Sequence, residues 1–112
     1  MANTPILVVK TVTTAGTRIQ VDTDTDHKPI AIYFEAPATN TGQIYIGDSA
    51  VSSTNYFARL TIPSTVSAPS WQISGVPGGR AGSTALQLSN FWVDSSVSGD
   101  KVHITYLYSL GA

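Results

Sequence analysis

The chain has 112 residues, which is the length of one domain and is enough to bury a hydrophobic core without disulfides or structural metal ions. It contains no cysteine, which excludes disulfides and thiolate metal sites. Only 12% of the residues are charged and the net charge is −1, so no charged surface is available for nucleic acid or anionic lipid. We therefore expect one domain spanning residues 1–112, with neither nucleic acid nor a membrane as a partner.

The polar residues are mostly hydroxyls, with 14 Thr and 13 Ser, and such a weakly charged surface repels other copies poorly. No segment approaches the roughly 20 apolar residues of a membrane-spanning helix. The first residues lack the basic and apolar regions of a secretory signal. We expect synthesis in a cytoplasm and packing against neighbouring proteins.

Polar and apolar residues alternate along most of the chain, which predicts strands because successive side chains of a strand point to opposite faces. The predicted strands are 6–13, 17–22, 28–35, 43–46, 56–62, 71–74, 84–88, 91–93 and 101–108. The segment 83–98 lacks Gly and Pro, but its apolar residues do not recur at helical spacing. About eight or nine short antiparallel strands, separated by turn clusters, predict an all-β fold: a single β-sandwich or jelly-roll-like domain.

Alternation also assigns side chains to faces. Tyr33 and Tyr45 point away from the apolar faces of their strands, which favours surface positions for both. For Trp92 the core and the surface are equally compatible with the pattern. The first strand is apolar on both faces over residues 6–9, so it is either sandwiched or covered by a partner.

Two short segments imitate the catalytic blocks of SGNH-type esterases: Gly47-Asp48-Ser49, and Asp100 with His103 three residues later. In that chemistry the serine attacks an acyl carbon, the histidine takes its proton and the aspartate orients the histidine. The serine of such enzymes enters a helix, whereas no helix is predicted after Ser49 and His103 falls within an alternating strand. We predict no enzymatic activity, a turn at Asp48 and Ser49, and a surface strand position for His103.

Two further segments resemble ligand loops. Asp22, Asp24 and Asp26 are spaced like the start of a calcium loop, but His27 stands where an EF-hand requires Gly. The glycine-rich segment 75–82 lacks the lysine and the following helix of a P-loop, which leaves a flexible loop with Arg80 as a contact to a partner. We expect a solvated turn at the aspartates and neither a metal nor a cofactor.

Residues 40–55, continuing to Leu60, read NTGQIYIGDSAVSSTN and resemble the NTGxIYIGDSxVSSTNxxxL segment of small structural proteins of tailed bacteriophages. Residues 91–107, which contain the sequence GDKV, are similar to the closing hairpin of those proteins. The resemblance implies an all-β virion component that decorates or cements the head or sits in the neck or tail. It implies the major capsid protein or other virion proteins as partners, self-association, for example as a trimer, and assembly in the host bacterial cytoplasm.

The predicted function is therefore that of a capsid decoration or cement protein. An alternative is a carbohydrate-binding or adhesin-type β-sandwich module, because exposed aromatic side chains stack on sugars as well as anchoring protein interfaces. Tyr56 and Phe57 stand where the phage pattern has a Gly, which adds them to the contact candidates. The candidate interface residues are Tyr33, Tyr45, Tyr56, Phe57, Arg80 and Trp92.

Overall fold

The computed structural model describes residues 3–23, 29, 31–61, 69–74 and 88–109. These ranges contain eight strands and one turn of 3-10 helix, Leu88–Asn90. No helix in them is long and apolar enough to cross a membrane. The strands are β1 (Asn3–Thr11), β2 (Ile19–Gln20), β3 (Ala31–Glu35), β4 (Gln43–Gly47), β5 (Ala58–Thr61), β6 (Ser70–Ser74), β7 (Trp92–Ser95) and β8 (Lys101–Ser109).

The strands form two four-stranded antiparallel sheets. The first sheet has the order β1-β8-β3-β6, and the second has the order β2-β7-β4-β5. The chain changes sheet at every connection except the one between β4 and β5. This is the eight-stranded arrangement of a jelly roll, which confirms the predicted all-β sandwich.

The core lies between the inner faces of the two sheets. Alternation predicts the inner face of β3 and β8 correctly: Ile32, Phe34, Val102 and Ile104 are fully buried. In β3 the intervening Tyr33 is exposed, as predicted. The other buried apolar side chains of this cluster are Val12, Val21, Ala36, Ile44, Ile46, Leu60, Leu88, Phe91, Val93 and Tyr106.

The bounds of several predicted strands differ from the structure; the strand predicted over 17–22, for example, is reduced to Ile19–Gln20. The prediction of a strand over 84–88 falls mostly outside the described residues, and its last residue, Leu88, begins the 3-10 turn instead. The strand predicted to begin at Tyr56 begins at Ala58, because Tyr56 and Phe57 precede the pairing of β5 with β4. Turn residues 52–55 close on themselves through a bridge between Ser52 and Asn55.

We expect Phe34→Ala to lower the free energy of unfolding by about 3–5 kcal/mol, because Phe34 is fully buried and its ring packs against Trp71 and Phe91. Tyr33→Ala, on the opposite face of the same strand, should cost no more than about 1 kcal/mol. Urea denaturation of the two variants measures the difference. Equal losses would contradict the assignment of the two faces of β3.

Candidate functional site

The two motifs of the phage resemblance meet at one end of the sandwich. Asp100 is buried, and its carboxylate accepts hydrogen bonds from Thr41 N to Oδ1 at 3.1 Å and from Gly42 N to Oδ2 at 2.8 Å. Asn40 is also buried; its Nδ2 donates to Lys101 O at 2.6 Å, and its Oδ1 accepts from Lys101 N at 2.8 Å. These five residues, which we call the loop clasp, join two segments that are distant in the sequence.

Two glycines in these motifs are required by the structure. A Cβ on Gly42 would lie 2.6 Å from Val97 Cγ2 and would collide with Ser96 Oγ. Ser96 cannot easily move away, because its Oγ accepts a hydrogen bond from Gln43 N at 2.8 Å. Gly99 has a φ of +91°, in the left-handed region that favours glycine. The motifs are therefore explained as parts of one folded unit.

Asp48 and Ser49 lie in a turn, as predicted, directly after Gly47, the last residue of β4. Asp48 Oδ1 accepts a hydrogen bond from Ala50 N at 2.8 Å, and Asp48 O accepts one from Val51 N at 3.0 Å. This is the local side-chain-to-backbone bonding that makes Asp a frequent turn residue. Its carboxylate is thus engaged in holding the turn.

The serine and histidine of the esterase-like pattern lie on different sheets. Ser49 is exposed in the turn that follows β4 of the second sheet. His103 is half-buried on the outer face of β8 in the first sheet, opposite Val9 of β1 and Glu35 of β3. The structure therefore does not assemble a catalytic pair from these two residues.

The outer face of the first sheet carries exposed apolar side chains. Leu7 is 61% exposed and Val9 is 47% exposed, whereas Ile6 and Val8 point inward and pack against the core. Tyr33, 38% exposed, lies two strands away on the same face. The apolar segment 6–9 is thus not sandwiched: its outward side chains are left open by the described part of the chain.

Tyr45 is buried, and the prediction of a surface position for it is wrong. Its side chain does lie on the outer face of β4, but Tyr56 covers it, with ring centroids 5.6 Å apart and an interplanar angle of 30°. The Arg59 guanidinium carbon lies 6.0 Å from the centroid of the Tyr56 ring. Alternation gives the face of a side chain, whereas burial here depends on a loop that folds over that face.

The other aromatic candidates occupy separate positions. Phe57 is 55% exposed and packs against Trp71 and Phe91, with ring centroids 6.5 and 6.3 Å away. It therefore closes one end of the aromatic part of the core. Trp92 is half-buried on the outer face of β7, next to Gly47 of β4.

Several sequence candidates cannot be placed. Arg80 and the glycine-rich segment 75–82 lie outside the described residues, as do Asp24 and Asp26 of the calcium-like segment. Within the described ranges, no group of three or more His, Asp or Glu side chains is arranged to hold a metal ion.

Among the buried polar side chains, Asn40 and Asp94 are not indicated as sites by the sequence pattern, whereas Asp100 stands out only through its esterase-like spacing from His103. For Asn40 and Asp100 a signal of a structural role exists, because Asn40 lies two residues before Gly42 and Asp100 directly follows Gly99, each in a turn motif. For Asp94 there is none, since alternation along β7 simply directs its side chain outward.

Comparisons of the chain with protein-family models, with curated proteins and with solved structures find no match. The proposed link to phage structural proteins therefore depends on the quoted motifs alone.

We expect Asp100→Asn to lower the free energy of unfolding by about 1–3 kcal/mol, because both carboxylate oxygens accept backbone hydrogen bonds and an amide replaces one acceptor with a donor. Asp48→Asn is the matched control, since only its Oδ1 is engaged by a side-chain hydrogen bond. It should change stability by no more than about 0.5 kcal/mol. Chemical denaturation compares the two, and an unaffected Asp100→Asn variant would show that the loop clasp does not stabilise the fold.

Proposed function

We propose that this protein is a structural component of a bacteriophage virion, acting as a capsid decoration or cement protein that binds neighbouring subunits. The observation that carries the proposal is the apolar outer face of the first sheet, where Leu7 and Val9 are exposed on the nine-residue strand β1. Contiguous exposed apolar side chains favour contact with another protein. The class of partner, a major capsid protein or another virion protein, comes from the motif resemblance.

The free backbone edge of β1 also supports a contact with a partner at the first sheet. β1 is the edge strand of its sheet in the described ranges, with β8 on one side. Val12 N donates to Asp100 O at 2.9 Å, so the backbone groups of Val12 point towards β8. The direction of these groups alternates along a strand, so the N–H and C=O groups of the even-numbered residues of β1 also point towards β8. Leu7, Val9 and Thr11 have the opposite phase, so their backbone groups face the free edge. An edge of this kind can accept a strand from a partner.

The surface area that a protein–protein interface of standard size would bury on this chain is a small part of its accessible surface. A standard interface buries about 800 Å² on each partner, which is about one eighth of the accessible surface of 6246 Å². One sheet face together with its edge can supply that area. The low charge of the chain limits repulsion between copies, which supports self-association alongside binding to the capsid.

The fold supports two functions by analogy alone, because jelly rolls occur in viral capsid proteins and in lectins. The carbohydrate-binding alternative is favoured by a separate observation, a polar pocket on the second sheet, which is described in the next subsection.

The virion proposal predicts that mass spectrometry of purified particles of the encoding phage finds the protein in many copies. Changing both Leu7→Lys and Val9→Lys should reduce its incorporation and its self-association, because two charges then oppose burial of the apolar face. Both side chains are exposed, so the urea midpoint should be nearly unchanged. Light scattering measures the self-association.

Thr61→Lys is the control, because Thr61 is exposed on the outer face of β5 in the other sheet. It should be incorporated like the unmodified protein. Absence from particles, or a trace amount, would refute the virion role. Equal incorporation of all variants would refute the first sheet as the contact face while leaving the virion role intact.

A further inference from the structure

A pocket of about 320 Å³ opens on the outer face of the second sheet. Its walls come from the loop after β1, from strands β4 and β7, and from the turn after β4. The residues that matter for its chemistry are Gly16, Tyr45, Ser52, Ser53, Asp94 and Ser96. The volume is at the lower end of the roughly 300–1,000 Å³ of small-molecule sites.

Asp94 is the charged residue of this pocket, and it is only 3% exposed. Its Oδ1 accepts hydrogen bonds from Gly16 N at 3.0 Å and from Ser95 N at 2.7 Å. Its Oδ2 has no hydrogen-bond partner within the described ranges. In those ranges every fully buried side-chain oxygen or nitrogen has a hydrogen-bond partner, so Oδ2 is not fully buried. Oδ2 is therefore the oxygen that faces the pocket, where it remains available to a ligand.

The remaining wall is made of hydroxyl groups and one aromatic ring. Ser53 is exposed, and Ser96 Oγ accepts from Gln43 N at 2.8 Å, which leaves its own proton to donate. The Tyr45 ring is held in place by the stacked Tyr56 ring and by a hydrogen bond from its hydroxyl to Gln43 Oε1 at 3.2 Å. The pocket thus offers an anionic acceptor, hydroxyls that donate or accept, and an apolar wall.

We propose that this pocket binds a neutral saccharide, with a sugar hydroxyl donating to Asp94 Oδ2. Hydroxyl groups of Ser53 and Ser96 complement other sugar hydroxyls, and the small exposed part of Tyr45, 6% of its surface, lines the apolar side of the pocket. The negative charge of Asp94 disfavours phosphorylated and acidic sugars. The volume limits the bound part to one sugar unit or to the end of a longer glycan.

This inference is independent of the proposed virion role. The pocket lies on the outer face of the second sheet, whereas Leu7 and Val9 lie on the outer face of the first. The variant carrying both Leu7→Lys and Val9→Lys should therefore bind sugar like the unmodified protein. A failure of sugar binding would therefore not count against the virion role, and a failure of incorporation into particles would not count against the sugar site.

The test is a titration of the isotope-labelled protein with glucose, galactose, mannose and N-acetylglucosamine, followed by amide NMR spectra, with glucuronic acid as the acidic comparison. We expect at least one neutral sugar to shift the amide signals of pocket residues such as Gly16, Ser53 and Ser96. Asp94→Asn keeps an acceptor oxygen for Gly16 N and Ser95 N but replaces Oδ2. It should weaken binding by about tenfold or more, because a hydrogen bond to a charged group is lost.

Asp48→Asn is the matched control, since that exposed carboxylate holds a turn through Oδ1 and lies outside the pocket lining. It should bind like the unmodified protein. If Asp94→Asn fails to fold, Ser53→Phe tests the same pocket by filling it from an exposed turn position. The proposal is overturned if no neutral sugar shifts the pocket signals, if only glucuronic acid does so, or if binding survives both pocket variants.

Discussion

A carboxylate is costly to bury unless its oxygens accept hydrogen bonds, and Asp100 meets this condition with backbone groups from another part of the chain. Its partners, Thr41 and Gly42, lie 59 and 58 residues earlier. Asn40 bonds both backbone groups of Lys101, the first residue of β8. The loop clasp therefore fixes where β8 starts. Because β8 pairs with β1 and with β3, its register also places the side chains on the outer face of the first sheet.

Asp94 shows the same constraint met only in part. Both oxygens of Asp100 are engaged by the protein, whereas Asp94 uses Oδ1 for two backbone groups, and its Oδ2 has no partner among the residues that the structure describes. The first carboxylate thus serves the fold alone. The second fixes the loop after β1 and still presents an acceptor at the surface, which is why the pocket and not the loop clasp is the site to which we assign a ligand.

Local patterns predict this fold well because one face of each main strand lies against the opposite sheet. That condition makes the alternation at Ile32, Phe34 and Ile104 informative. It fails at Tyr45, whose burial depends on Tyr56 folding back from the following loop. The loop clasp could likewise be anticipated only as two separate turns, since a contact across almost 60 residues leaves no periodic signal. The pocket combines both difficulties, because a loop and a strand must meet to form it.

The chain has seven acidic residues, and two of them, Asp94 and Asp100, are buried in the segment 92–101. Acidic side chains are rarely buried without a specific role, so their concentration there is informative in a protein with so few charges. The segment contributes β7 to the second sheet and leads directly into β8 of the first. It therefore couples the two outer faces structurally while keeping them on opposite sides of the sandwich. A protein attached through its first sheet would hold the pocket of the second sheet facing away from the attachment surface, where a glycan could reach it.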